Sequence, residues 1–158
     1  MVHQRNRRTF LSGAELISDR LLDVSEIMEA ASPHWMPDDV LIVEDDPIIA
    51  LDFEDIILGF GVKMVRTASS VAKALEMIAG RVPDFALLDV GLVRETSFAI
   101  AERLDALEIP FGFVTGYSAD VTLPAAFADR PRLPKPCSTD ALQTMLRRRF
   151  DGAARPRC

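Results

Sequence analysis

The chain has 158 residues, of which 49% are hydrophobic, and this suffices for one domain of ordinary size with a modest extension. Its formal net charge of −6 at pH 7 excludes a dedicated nucleic-acid binder, because affinity for a phosphate backbone requires a concentrated cationic surface. The sequence contains no run of about 18 apolar residues, which excludes a membrane span as well.

The first 37 residues are predicted to form an extension with one amphipathic helix at about residues 12–32. Ser12 and Glu15 make a capping-box pattern, which satisfies backbone donors at the start of a helix. Six apolar residues then recur at alternating steps of three and four: Ala14, Ile17, Leu21, Val24, Met28 and Ala31. This stripe predicts either the seam of a homodimer or packing against the rest of the same chain, and the sequence does not decide between them.

Residues 38–150 alternate between short apolar strands and amphipathic helices. Strands are predicted at residues 40–43, 63–66, 85–88, 111–115 and 132–134, and helices at 47–60, 70–79, 97–107 and 139–150. Asp46 is predicted to cap the first of these helices. Pro124, Pro131 and the Ala125-Ala126 pair predict only a short or mobile element between residues 118 and 130. This alternation predicts an α/β fold with a doubly wound, five-stranded parallel sheet.

Polar residues stand at the carboxyl ends of four predicted strands: Glu44 with Asp45, Asp89, Thr115 and Lys135. Sites in such sheets lie at that edge, so we expect these side chains to converge. Three converging carboxylates repel one another, and a hard divalent cation that prefers oxygen ligands relieves the repulsion. Mg²⁺, or Mn²⁺ in its place, is therefore the predicted cofactor. A lone acid at a strand end is usually a helix cap, but four polar strand ends indicate a functional site.

These motifs resemble those of the bacterial response-regulator receiver family. The resemblance covers about residues 38–150 and preserves the order and spacing of four features: the run Leu41-Ile42-Val43-Glu44-Asp45-Asp46, the run Ala86-Leu87-Leu88-Asp89-Val90, Thr115 after an apolar strand, and the Lys135-Pro136 dipeptide. It implies a flavodoxin-like strand order of 2-1-3-4-5. It also implies that a sensor histidine kinase is the partner that supplies a phosphoryl group.

The resemblance assigns roles to the acidic residues. It implies that Asp89 is the phosphoacceptor and that Asp45 and Asp89 bind Mg²⁺ together with the backbone carbonyl of Gly91. Glu44 is implied to act mainly through a metal-bound water.

Two further residues complete the expected site. Lys135 supplies a mobile point charge for a phosphoryl oxygen, and Thr115 offers a hydroxyl donor. The Lys135-Pro136 peptide bond resembles the cis bond of the family, which would aim the lysine inward.

The chain departs from the family pattern near the lysine. Arg132 occupies the position where most members carry the aromatic switch that reports phosphorylation, and Cys137 replaces an aromatic residue after Lys135-Pro136. Residues 110–118 resemble an alphaproteobacterial subclass with a Phe-Ala-Thr-Gly-Xaa-Tyr motif, although Val114 replaces Ala and Tyr117 follows Gly116 directly. That subclass occurs as stand-alone receivers and in association with HWE-type kinases, so the usual aromatic switch is not expected.

The remaining residues, 151–158, are predicted to be a tail too short for an output domain, and no contact with DNA is expected. The Arg147-Arg148-Arg149 run suits the negative end of a helix dipole. Cys137 and Cys158 are expected to be reduced thiols in a cytoplasmic protein.

The sequence thus predicts a single-domain response regulator that is not an enzyme. It would act as a phosphate sink or as a protein-binding adaptor. The alternative is a Mg²⁺-dependent phosphohydrolase with an aspartyl nucleophile. Such enzymes need a second Asp two residues after the nucleophile, where this chain has Gly91.

Overall fold

The computed structural model describes residues 36–116 and 121–152, with the backbone alone for residues 148–152. Strands and helices alternate along these ranges. The strands are β1 (Asp39–Val43), β2 (Met64–Ala68), β3 (Phe85–Asp89), β4 (Gly91–Leu92), β5 (Glu95–Thr96), β6 (Phe111–Thr115) and β7 (Arg132–Pro134). The helices are α1 (Pro47–Gly59), α2 (Val71–Gly80), α3 (Phe98–Ala106) and α4 (Thr139–Gly152), with a 3₁₀ helix at Ala125–Phe127.

Two predicted segments lie outside the described residues. They are the amphipathic helix at residues 12–32 and the tail beyond residue 152. The predicted boundaries of the N-terminal extension and the tail therefore stay predictions. Within the described ranges, no helix is both long and apolar enough to cross a membrane.

The five main strands form one parallel sheet in the order β2-β1-β3-β6-β7. This arrangement confirms the predicted α/β fold and the flavodoxin-like order 2-1-3-4-5. The central strands β1 and β3 are buried along their whole length, as expected for strands covered by helices on both faces.

The pleat of β1 divides the core between the two faces of the sheet. Leu41 and Val43 belong to a cluster that contains buried residues of α2 and α3. Val40 and Ile42 belong to a second cluster that contains buried residues of α1 and α4. Because successive side chains of a strand point to opposite faces, one short apolar run supports both helical layers.

The amino end of α1 follows the predicted capping chemistry. Asp46 Oδ1 accepts hydrogen bonds from the backbone N–H groups of Ile48 (2.8 Å) and Ile49 (3.3 Å), and Pro47 occupies the first helical position. After the helix, Gly61 adopts a φ of +91°, which glycine tolerates without steric cost. This capping fixes the point where the chain leaves the acidic end of β1.

Within the described residues 121–131, the element before β7 is a short 3₁₀ helix, as the sequence predicts. Its 3₁₀ helix buries Phe127 against Phe111 and Phe113, with ring centroids 5.8 and 6.1 Å apart. Arg130 stacks over the Phe111 ring at 4.6 Å and forms an ion pair with Asp105. Aromatic packing and one cation–π contact thus hold this short 3₁₀ helix in place.

The hairpin β4–β5 was not predicted. Its two strands pair only Gly91 with Thr96 and Leu92 with Glu95, so each is too short to show a period of two in the sequence. The hairpin begins two residues after Asp89, which places it beside the edge where the polar strand ends meet.

Candidate functional site

Three carboxylates meet at the carboxyl edge of the sheet. Glu44 and Asp45 directly follow β1, and Asp89 is the last residue of the neighbouring β3. One oxygen from each side chain lies within 4.8 Å of the others. Glu44 is 3% exposed and Asp89 is 7% exposed, whereas Asp45 is half-buried. The structure therefore brings together the three acids that the sequence placed at strand ends.

Lys135 reaches this cluster from the end of β7. Its Nζ donates a hydrogen bond of 2.8 Å to Asp89 Oδ2 and a second hydrogen bond to Glu44 Oε2. Its backbone N–H donates to the Thr115 carbonyl at 2.7 Å. The following Lys135-Pro136 peptide bond is cis, as the family resemblance implies. The ammonium thus offsets two buried negative charges.

The pKa values of Glu44 and Lys135 shift in the same direction for different reasons. Burial raises the pKa of the Glu44 carboxyl, although the hydrogen bond from Lys135 opposes this shift. Burial alone would lower the pKa of the Lys135 ammonium, but hydrogen bonds to Asp89 and Glu44 outweigh it and raise that pKa. Lys135 therefore keeps its charge at neutral pH and places a cation beside Asp89.

Backbone donors orient the remaining carboxylate oxygens. Asp46 N–H donates to Glu44 Oε1 at 3.0 Å, and Gly91 N–H donates to Asp89 Oδ1 at 3.3 Å. Val93 N–H, at the tip of the hairpin, donates to Asp45 Oδ2 at 3.1 Å. These contacts orient the side chains of all three acids.

Thr115 and Arg132 occupy different places around this site. Thr115 ends β6, one residue beyond Val114, which pairs with Asp89 in the sheet, and it is partly buried. Arg132 pairs with Phe113 on the edge strand β7 and is exposed. It lines a cavity of about 390 Å³ together with Leu133 and residues of α4. Arg132 therefore does not provide the aromatic side chain that most members of the family carry at this position.

The sequence reasoning missed Val93 and Glu95. Val93 contributes only its backbone N–H, which every residue except proline carries, so its identity gives no signal. Glu95 Oε1 accepts a hydrogen bond of 2.9 Å from Val71 N–H at the start of α2. The two residues are 24 apart in sequence, and only the unpredicted hairpin brings them together.

The donor set fits a hard divalent cation. Carboxylate oxygens are the ligands that Mg²⁺ and Mn²⁺ prefer, and three of them surround one point. Among the described residues, this is a group of acids close enough to share an ion. Gly91 is exposed, and a Cβ added there would meet open space.

Fold and site together define a response regulator receiver domain. Residues 40–147 match the family model of that domain, and the chain belongs to this family. It is therefore a receiver domain of two-component signalling.

Solved structures of SdrG are among those that are similar to this chain. It is similar to SdrG from Sphingomonas melonis Fr1, with 41% identity and a TM-score of 0.62 over 68% of this chain and 92% of that chain. The BeF₃-activated conformation of SdrG from Pseudomonas melonis Fr1 shows 40% identity and a TM-score of 0.58 over the same shares.

A curated relative is the phyllosphere-induced regulator PhyR of Methylorubrum extorquens. It is 31% identical over 85 residues, which make up 52% of this chain and 32% of that protein. The match thus spans about a third of the relative's length.

Proposed function

We propose that this receiver domain accepts a phosphoryl group on Asp89 from a sensor histidine kinase, in a reaction that requires Mg²⁺ or Mn²⁺. The geometry of Asp89 carries the proposal: its buried carboxylate lies beside those of Glu44 and Asp45 and accepts a 2.8 Å hydrogen bond from Lys135 Nζ. Three clustered carboxylates disfavour the charged state of one another, and this cost argues for a functional reason to keep them together.

The proposed step is a displacement at phosphorus. An Asp89 carboxylate oxygen attacks the phosphorus of the kinase phosphohistidine, and the O–P bond forms as the P–N bond breaks. The electron pair of the P–N bond returns to the imidazole nitrogen. Bound Mg²⁺ supplies positive charge that reduces the repulsion between the carboxylate and the phosphoryl group.

Asp45 and Asp89 would hold this ion together with the Gly91 backbone carbonyl, and Glu44 would act through a metal-bound water. The Lys135 ammonium then contacts a phosphoryl oxygen in exchange for its present carboxylate partners, and the Thr115 hydroxyl donates to another oxygen. Both groups stabilise charge that arrives with the phosphoryl group.

The phosphorylated domain acts in signalling in one of two ways. It is either a phosphate sink or an adaptor whose phosphorylated surface binds another protein. The similarity to a BeF₃-activated SdrG supports a receiver that changes conformation on activation. The phosphohydrolase alternative has no support from the site, because Gly91 provides no general acid.

Phosphorylation of purified variants with acetyl phosphate and Mg²⁺ tests the proposal, with intact mass as the measurement. Asp89→Asn should abolish the modification and keep the fold, because the amide preserves the shape but not the nucleophile. Asp55→Asn, which changes an exposed carboxylate on α1, is the matched control and should be phosphorylated normally. Modification that survives in Asp89→Asn, or that resists hydroxylamine, would contradict an aspartyl phosphate at this residue.

A further inference from the structure

Two hydrogen bonds fasten the turn and the second strand of the hairpin β4–β5 to other segments of the domain. Val93 N–H donates to Asp45 Oδ2 at 3.1 Å, and Glu95 Oε1 accepts from Val71 N–H at 2.9 Å. Val71 is the first residue of α2. One bond thus ties the hairpin to the acidic cluster, and the other ties it to a neighbouring helix.

The hairpin needs such external support. A two-stranded hairpin is marginally stable at best in water, and this one has two residue pairs. Within it, Leu92 is buried, whereas Val93 is 70% exposed and Arg94 has a positive φ of 65°. Since packing holds one side of the hairpin at most, the carboxylate of Glu95 is well placed to hold the other.

The partner of Glu95 is suited to this task. Val71 N–H is one of the donors that a helix start leaves without an intrahelical acceptor, and the positive end of the helix dipole favours a carboxylate. Ser70 Oγ accepts from Lys73 N–H at 3.2 Å, so Ser70 and Glu95 serve different donors. Buried Ala74 and Ile78 fix α2 against the core, and this makes the helix a firm anchor.

We infer that Glu95 is a positioning residue of the phosphoacceptor site. By fastening the hairpin to α2, it fixes the Gly91 carbonyl and the Val93 N–H relative to the carboxylates of Asp45 and Asp89. This inference rests on the proposed function, because it concerns the ion and the phosphoryl group that those carboxylates would bind.

Three variants of the full chain separate this role from simple helix capping. Glu95→Ala removes the acceptor, Glu95→Gln keeps an acceptor oxygen without the charge, and Glu102→Ala removes an exposed carboxylate on α3 as the control. The measurements are amide hydrogen exchange at Val71 and Val93, the Kd for Mg²⁺ from calorimetry, and the acetyl phosphate reaction rate across a Mg²⁺ titration.

Glu95→Ala should speed exchange at both amides and weaken Mg²⁺ binding by about tenfold, as is typical when support behind metal ligands is lost. Its phosphorylation rate should fall at limiting Mg²⁺ and recover at saturating Mg²⁺, because the reacting groups themselves are intact. Glu95→Gln should restore most of the affinity, and Glu102→Ala should match the wild type.

The inference is overturned if Glu95→Ala exchanges faster at Val71 alone and binds Mg²⁺ with wild-type affinity, because Glu95 then only caps α2. An unchanged exchange pattern at both amides would overturn it equally. A wild type that neither binds Mg²⁺ nor accepts phosphate would instead refute the proposed function, and the positioning role would fall with it.

Discussion

Lys135 and Asp89 are joined by a 2.8 Å hydrogen bond that passes over the end of an intervening strand. Asp89 ends β3, Lys135 follows β7, and β6 lies between these strands in the sheet. The backbone bond from Lys135 N–H to the Thr115 carbonyl fixes the base of the lysine side chain at the end of β6. A long, flexible side chain then brings its charge to an acid 46 residues away.

Replacing Lys135 with Met should destabilise the metal-free domain by about 2 kcal/mol, because removing one partner leaves buried charge without compensation. Added Mg²⁺ should reduce the difference by supplying a substitute cation. Lys63→Met is the control, since Lys63 and Asp38 form an exposed pair whose loss should cost at most about 1 kcal/mol. Denaturant unfolding with and without Mg²⁺ measures the free energy of unfolding of both variants. Equal losses in Lys135→Met and Lys63→Met would contradict a special role for the buried Lys135 charge.

The pH dependence of the Lys135 contribution follows from its raised pKa. A lysine whose pKa is higher in the folded state contributes stability that is complete below the unfolded value of about 10.4 and disappears as pH rises through the folded value. The stability that Lys135 contributes should therefore be constant from about pH 7 to pH 9, and it should decline only when the pH rises above the usual pKa of a lysine side chain.

Mg²⁺ should raise the melting temperature of the wild type, because an ion that binds only the folded state stabilises it by RT ln(1 + [L]/Kd). This amounts to about 2.7 kcal/mol at a concentration of 100 Kd. Asp45→Ala should lose most of the shift, whereas Asp55→Ala, on the exposed side of α1, should keep it. Calorimetric scans at several Mg²⁺ concentrations give the answer. A wild-type melting temperature that does not change with Mg²⁺ concentration would refute the metal site.

Asp39 provides a contrasting test at the opposite edge of the sheet. This carboxylate is 3% exposed, pairs with Arg66 through two hydrogen bonds of 3.0 and 3.1 Å, and accepts a third from Arg81 at 2.8 Å. Asp39→Ala should lower the free energy of unfolding by about 3 kcal/mol, because it leaves the partly buried guanidinium of Arg66 without its carboxylate partner. Phosphorylation of the folded variant should proceed at the wild-type rate. A large loss of rate at a temperature where the variant is folded would contradict the separation of the two edges.

The sequence predicted those features that depend on local pattern. An apolar, β-branched run marked β1, an apolar run marked β3, Asp46 marked the start of α1, and acids at strand ends marked the site. The parallel sheet then brings strand ends together as a matter of topology. What the sequence did not reveal depends on contacts between distant segments, such as Glu95 with Val71.

Gly112 illustrates the same limit inside the core. A Cβ added there would overlap Sδ of Met145, which packs from α4 against β6, and no feature of either segment alone predicts this close approach. Gly112→Ala should therefore destabilise the domain by about 1–3 kcal/mol through overpacking. Gly80→Ala is the control, because a Cβ at that residue meets open space.

A double-mutant cycle in thermal unfolding identifies the cause of the Gly112 effect. Combining Gly112→Ala with Met145→Ala should cost less than the sum of the single changes, because the shortened side chain leaves room for the new methyl group. Strict additivity would mean that the clash with Met145 is not the cause.

The apolar stripe of the predicted N-terminal helix leads to a prediction about assembly. Such a stripe must be covered, because an exposed one favours association. We propose that residues 12–32 form a helix that contributes to a homodimer, with Leu21 and Val24 at the centre of the seam. Changing both to Asp would place charges in the seam, where burial of unpaired charge is costly.

The Leu21→Asp, Val24→Asp variant should therefore be monomeric in light scattering at tens of micromolar, while its Asp89 still accepts phosphate from acetyl phosphate. By helical spacing, Leu22 and Ala30 lie on the side opposite to the stripe, so changing these two to Asp adds the same charge away from the seam. That control should remain dimeric. If the wild type is itself monomeric at this concentration, the stripe packs on its own chain. If the control dissociates as readily as the seam variant, added charge rather than a specific seam governs assembly.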